Sequence, residues 1–273
     1  MRKTEETDSS EAGPPTDGLP KINAKKETAR IASFVRRIVK GSSANGIVLG
    51  LSGGVDSSVV GALCVMALSR PRVLGLLMPS EHTPEQDSKD ALSLAESLGI
   101  RIQKVPISGS VEALTGAARV KGTRTSLANV EARVRMTILY YYANTQGLLV
   151  AGTGDRSESL LGYFTKMGDG GVDFLPIAHL FKTQVRELGA HLGIAKRIVE
   201  KPASPQLWRG HMATDEIPAD YDKLDIVLYQ LFDRMKSPEE AAYAAGLPIS
   251  VVERTIEMHS ESQHKRSLPP SLA

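Results

Sequence analysis

Apolar residues in the first part of the chain fall into short unbroken runs separated by longer stretches with helical spacing. The runs 47–51, 73–78, 102–107 and 148–151 are bounded by Gly or Pro, as expected for parallel strands buried on both faces. Between them, 57–69, 83–98 and 126–144 read as helices, and an earlier helix over 22–39 aligns Ile31, Phe34, Val35 and Ile38. This alternation predicts βαβ units: an α/β fold with a parallel sheet, helices on both faces, and a ligand crevice outside the carboxyl ends of the strands.

After Asp169 the pattern changes. A loop-rich stretch around Gly168-Asp169-Gly170-Gly171-Val172-Asp173 precedes a helix over 182–192, a second loop over about 201–219, and helices over 221–235, 238–245 and 250–262. Residues 1–20 carry almost no large apolar side chains and read as a disordered tail, leaving 21–273 as one domain.

Composition narrows the classes. Lys plus Arg number 33 against 31 Asp plus Glu, a surplus of 33 − 31 = 2, which supports neither a nucleic-acid nor a membrane-surface partner. No apolar run approaches the roughly 20 residues that span a bilayer, and the N-terminus lacks the apolar core of a secretory signal. The single cysteine forbids an internal disulfide and suits a reducing cytoplasm.

The strongest local signal is Gly50-Leu51-Ser52-Gly53-Gly54-Val55-Asp56-Ser57-Ser58, set between a strand and a helix. Gly53 and Gly54 allow a sharp turn that brings backbone N–H groups against an anion, and the helix adds its free N–H groups and positive end. A Gly-Ser turn capping a helix is the plainer reading; the strand–loop–helix setting with an acidic residue at the helix start favours the phosphate site. No G-x-x-x-x-G-K-[ST] motif occurs.

The S-G-G-x-D-S pattern resembles the PP-loop ATP pyrophosphatases, which transfer AMP and release pyrophosphate. Later motifs are similar to those of the ammonia-dependent NAD synthetases: Asn129 to Met136, Gly152-Thr153-Gly154-Asp155-Arg156-Ser157-Glu158, Gly162 to Gly170, Asp173, Lys182, Asp215-Glu216, Tyr221 and His264-Lys265-Arg266. The resemblance runs from about residue 31 to 270. It implies a Rossmann-like fold of the adenine nucleotide alpha hydrolase type, and ATP-dependent amidation of deamido-NAD by ammonia through an NAD-adenylate.

Mg²⁺ takes oxygen ligands, often carboxylates beside phosphates. Asp56 and Glu158 each follow an expected strand end, so both should face the crevice, and the resemblance makes them the metal positions. It likewise implies ATP contacts from Gly50 to Ser57 and from Thr153, Lys182 and Ser204. Lys182 stands at a helix start, unfavourable for a cation unless a bound phosphate restores the balance. The resemblance gives Arg133, Lys166, Asp173, His264 and Lys265 to deamido-NAD. The catalytic candidates are Asp56, Lys182 and Asp173, the last because ammonia must be deprotonated to react and an acid near the site could relay its proton.

On 126–144, Leu127, Val130, Val134, Ile138 and Tyr141 form an apolar stripe, read as core or as the interface of the homodimer that the resemblance implies. Cys64 occupies a core position, so glutamine hydrolysis would need a separate glutaminase partner. Three departures stand out: Pro205 stiffens the 201–210 loop after Ser204, Asp155 replaces the usual Asn, and Met212-Ala213 lengthen the link to Asp215. The rival functions are another PP-loop adenylating enzyme, such as a tRNA-modifying one, and a non-catalytic nucleotide-binding regulator. DNA binding by the helices over 238–262 is disfavoured by their acidic surplus.

Overall fold

The computed structural model describes residues 18–204, 208 and 210–272. Its elements run in chain order as α1 (Ala24–Ser42), β1 (Gly46–Gly50), α2 (Val55–Leu68), β2 (Val73–Leu77), α3 (Glu85–Leu98) and β3 (Arg101–Lys104). They continue with α4 (Ser108–Ala117), α5 (Arg124–Gln146), β4 (Leu148–Val150), α6 (Arg156–Leu161), α7 (Lys182–His191) and α8 (Lys196–Val199). The chain then forms α9 (Tyr221–Phe232), α10 (Pro238–Ala245), α11 (Ile249–Glu261) and α12 (Gln263–Arg266).

The strands form one parallel sheet in the order β3-β2-β1-β4, with Ile47 opposite both Val73 and Leu149. Alternating strand residues feed two cores, because successive side chains leave a strand on opposite faces. Ile47 and Leu49 pack with Ile31, Val35 and Val39 of α1, with α2, and with Val185 and Leu188 of α7. Val48, Leu74, Leu76 and Val150 pack with Ile107 and with Val134, Leu139 and Ala143 of α5. The expected doubly covered parallel sheet is therefore present.

The chain steps outward from β1 to β2 and β3, then returns to the other side of β1 for β4. The strand order reverses between β1 and β4, and such a switch point opens a crevice at the carboxyl ends of its two strands. The Gly-Ser loop leaves β1 there, and residues 151–155 leave β4 there.

Three features differ from the sequence reading. α4 and α6 were not expected: no residue of α4 is buried, so it carries no apolar period, and α6 has only six residues. The stripe on α5 splits. Val134 is buried and Val130 and Ile138 lean on the core, but Leu127 and Tyr141 are 41% and 70% exposed. Of the segment read as tail, 1–17 lie outside the described residues; Leu19 packs against the C-terminal apolar cluster, and the Pro20 carbonyl accepts a hydrogen bond from Gln184.

Candidate active site

The Gly-Ser loop is held open by its own hydroxyls. Ser57 Oγ accepts from the Ser52 N–H and donates to the Gly54 carbonyl, while Ser58 Oγ donates to the same carbonyl at 2.7 Å. Gly53 has φ +78°, and a Cβ there would lie 2.3 Å from the Asp87 carbonyl oxygen. Both conformation and space thus require glycine at this position. α2 begins at Val55 with no side-chain cap, so its first N–H groups face the crevice rather than a capping oxygen.

Four ionisable side chains converge beside this loop. Lys182 Nζ lies 2.8 Å from Asp56 Oδ2, 3.0 Å from Asp155 Oδ2 and 2.8 Å from Glu158 Oε1. Asp56 comes from the start of α2, Asp155 and Glu158 from the end of β4 and the start of α6, and Lys182 from the start of α7. The sequence reading expected a bound phosphate to balance the lysine; here three carboxylates already do so, leaving a formal charge of 1 − 3 = −2.

Burial opposes the Lys182 charge, yet Asp155, Asp56 and Glu158 together outweigh it and hold the ammonium well above its usual range. The same burial pushes Asp155 and Glu158 upward, against the pull of Lys182, and mutual repulsion pushes them further. The Tyr221 ring lies 5.4 Å from Lys182 Nζ and walls off one side; its burial raises its own hydroxyl well above normal.

Asp225 of α9 sets where the lysine stands. Its carboxylate accepts from Ser157 Oγ, from the Thr183 N–H and from Thr183 Oγ1, while Ser157 Oγ accepts the Lys182 N–H at 2.9 Å. A buried anion at the first turn of α7 also complements the helix dipole that Lys182 opposes. The sequence reading missed both Asp225 and Asp155. Asp155 was legible as a helix start: Asp155-Arg156-Ser157-Glu158 forms a capping box, with Glu158 N–H bonded to Asp155 Oδ1 at 2.8 Å.

The residues fit a divalent cation in two respects. The donor set is anionic and oxygen-rich, and Asp56 Oδ1 is buried with no hydrogen-bond partner. Among the described residues no three carboxylate or imidazole groups form a ready-made cage. An ion here would complete its shell from phosphate oxygens and water.

The expected deamido-NAD residues lie around 162–170. Arg133 donates to the Lys166 carbonyl, Lys166 Nζ to the His264 carbonyl at 2.6 Å, and Lys265 Nζ to the carbonyls of Gly162 and Phe164. Arg133, Lys166, His264 and Lys265 are thus brought together. Asp173 stands apart from them: its carboxylate accepts the Val150 N–H at 2.7 Å and the Tyr140 hydroxyl at 3.1 Å, pinning the end of β4. Thr153 lies on the turn after β4, two residues before Asp155.

Ser204 donates to the His211 carbonyl. His211 stacks on Trp208, with ring centroids 3.3 Å apart, and places Nε2 3.0 Å from Glu216 Oε2, so Ser204, Trp208 and Glu216 all meet at His211. Pro205 lies outside the described residues. Cys64 is buried in the first core, and burial pushes its thiol up to about 12, which leaves it unreactive at neutral pH. Among the described residues no helix is long and apolar enough to cross a membrane.

A family model described as NAD synthase matches residues 27–269. The NH(3)-dependent NAD(+) synthetase of Hyperthermus butylicus is 54% identical over 242 residues, which cover 88% of this chain and 88% of that relative. Among solved structures, the NMN synthetase of Francisella tularensis has a TM-score of 0.83 at 33% identity, over 92% of this chain and 99% of that one. The NH3-dependent NAD synthetase of Campylobacter jejuni has a TM-score of 0.78 at 30% identity, over 92% and 100%.

Proposed function

The chain belongs to the NAD synthase family, and on that premise we propose that it is a ligase that amidates deamido-NAD with ammonia, consuming ATP and releasing AMP and pyrophosphate. One observation carries the reading. Asp56, Glu158 and Lys182 meet at the switch point between β1 and β4, beside the Gly-Ser loop.

The reaction runs in two steps. A nicotinate carboxylate oxygen attacks the α-phosphorus of ATP, the α–β bridging P–O bond breaks, and pyrophosphate leaves with the electron pair. Ammonia then attacks the acyl carbon, the C–O bond to AMP breaks, and the nitrogen loses a proton. Adenylation is needed because a carboxylate has no leaving group that ammonia can displace.

The chain contributes position and charge. The loop from Gly50 to Ser57 cradles the pyrophosphate with N–H groups and hydroxyls, with Thr153 and Ser204 as neighbours of the nucleotide. Lys182 offers an ammonium whose partners can be exchanged for phosphate oxygens as ATP enters. Mg²⁺, held by Asp56 and Glu158, would neutralise phosphate charge. Arg133, Lys166, His264 and Lys265 hold the acidic dinucleotide. Asp173, held at the carboxyl end of β4 by the Val150 N–H and the Tyr140 hydroxyl, is the acid assigned to relay the ammonia proton.

The homodimer and the cytoplasmic setting belong to the same proposal. Exposed Leu127 and Tyr141 on α5 supply apolar surface for a second copy, and the single buried cysteine suits a reducing compartment.

The adenylate is tested by isotope. Deamido-NAD labelled with ¹⁸O in its nicotinate carboxylate should pass one labelled oxygen to AMP. Label left in inorganic phosphate or water, with unlabelled AMP, would refute this route.

A further inference from the structure

Lys201 leaves α8 at the head of the segment that carries Ser204, and its ammonium reaches three acceptors from distant parts of the chain. Nζ donates to the Gly53 carbonyl at 2.9 Å, to Asp87 Oδ1 at 2.8 Å and to Asp90 Oδ2 at 2.9 Å. An ammonium has three N–H donors, so this set satisfies it completely.

The contact with Gly53 is the unexpected one, because it falls inside the loop assigned to pyrophosphate. In a trans peptide the N–H points opposite to the carbonyl. With the Gly53 oxygen drawn to Lys201, the Gly54 N–H is turned the other way, where it bonds Ser52 Oγ at 3.2 Å. Left free, that carbonyl could rotate toward an incoming phosphate and repel it. Gly53 also packs directly on the Asp87 backbone, so the lysine locks a peptide already pressed against α3.

Charge makes a second argument. Asp87 and Asp90 are both buried, and Arg197 Nε meets Asp90 Oδ1 at 2.8 Å. Two carboxylates face two cations. Without Lys201, one buried negative charge would stand uncompensated against a loop that must accept an anion.

We propose that Lys201 is a positioning residue for ATP: by holding the Gly53 carbonyl and neutralising the Asp87–Asp90 pair, it sets the pyrophosphate loop in its anion-binding form. The inference rests on the loop being the ATP site, as read above, and it adds a residue outside the Gly-Ser motif to that site. Lys201 touches no reacting atom and acts only through Gly53.

The test compares wild type, Lys201→Met and Lys201→Arg, each as the full chain. It measures ATP affinity by calorimetry, the KM values for ATP and deamido-NAD, and stability in urea. Lys201→Met should raise the KM and Kd for ATP by about tenfold or more, the scale of a lost charge-assisted hydrogen bond. The KM for deamido-NAD should change by less than about twofold, and Lys201→Arg should recover most of the ATP affinity. Equal losses for both substrates, or lower stability with unchanged ATP affinity, would overturn the proposal.

Should Lys201→Met fail to fold, the triple variant with Asp87→Asn and Asp90→Asn removes the uncompensated charge while still lacking the Gly53 contact. Weak ATP binding there supports the proposal, and wild-type binding refutes it. The functional reading fails separately. A wild type that binds ATP but forms no NAD sinks that reading, while the calorimetric comparison still decides the role of Lys201.

Discussion

Lys182 Nζ and Asp56 Oδ2 lie 2.8 Å apart across 126 residues of sequence, joining the first turn of α7 to the first turn of α2. Both helices aim their positive ends at the same crevice, so the site combines two helix N-termini, one buried ammonium and three carboxylates. Replacing the lysine tests that balance. Lys182→Met should destabilise the fold by about 3 kcal/mol, because the carboxylates are left buried without their cation. It should also lower NAD formation by at least about a hundredfold. Adding Asp155→Asn should recover part of the urea midpoint and none of the activity. Recovery of activity would show that Lys182 serves only to hold the carboxylates.

Gly53→Ala is the sharpest backbone test. The added methyl meets the Asp87 carbonyl at 2.3 Å, and the residue must keep φ at +78°. The loop must shift, so ATP affinity should fall more than stability does, with a loss of roughly 1–2 kcal/mol in urea. A variant with normal ATP affinity would show that the loop tolerates another conformation.

Asp225→Ala should slow catalysis without touching substrate. Three donors, Ser157 Oγ, the Thr183 N–H and Thr183 Oγ1, would lose their acceptor at the base of Lys182. The expected cost is about 3 kcal/mol of stability in urea. In steady-state kinetics kcat should fall and the KM for deamido-NAD should stay near wild type.

Acid should loosen the α3 side of the site only at low pH. Burial works against ionisation of Asp90, but hydrogen bonds from Lys201, Arg197 and Gln86 win and hold its pKa at about 2, below the ordinary 3.8. Between those values the unfolded chain binds the proton that the folded chain refuses. The contribution of Asp90 is therefore full above pH 3.8 and is lost as pH falls toward 2. Asp90→Asn should remove on the order of 1–2 kcal/mol of this acid dependence, read from urea midpoints against pH. An unchanged slope would mean that Asp90 is not held ionised by these partners.

Much of the architecture was legible because it rests on local pattern. The β1 and β2 runs and the Gly-Ser turn announce a parallel sheet with a crevice at its carboxyl end, and that placed Asp56 and Glu158 together in advance, while Lys182 joined them only through the family resemblance. What escaped depends on distance. Lys201 meets partners 111 to 148 residues away, and Asp225 meets Ser157 at a separation of 68, so no local period reports them. The α5 stripe, read as core or dimer interface, divides in the fold: Val134 is buried, while Leu127 and Tyr141 turn outward, and the sequence alone does not say which residue goes where. Asp155 read as a mere departure from a family pattern, when its capping box was already written in the chain.

The most direct measurement is product analysis of the purified wild-type protein with ATP, Mg²⁺, deamido-NAD and ammonium. NAD and AMP should appear in equal amounts, with neither formed when deamido-NAD is left out. AMP or pyrophosphate without NAD would contradict the account and assign the adenylating site to a different acceptor.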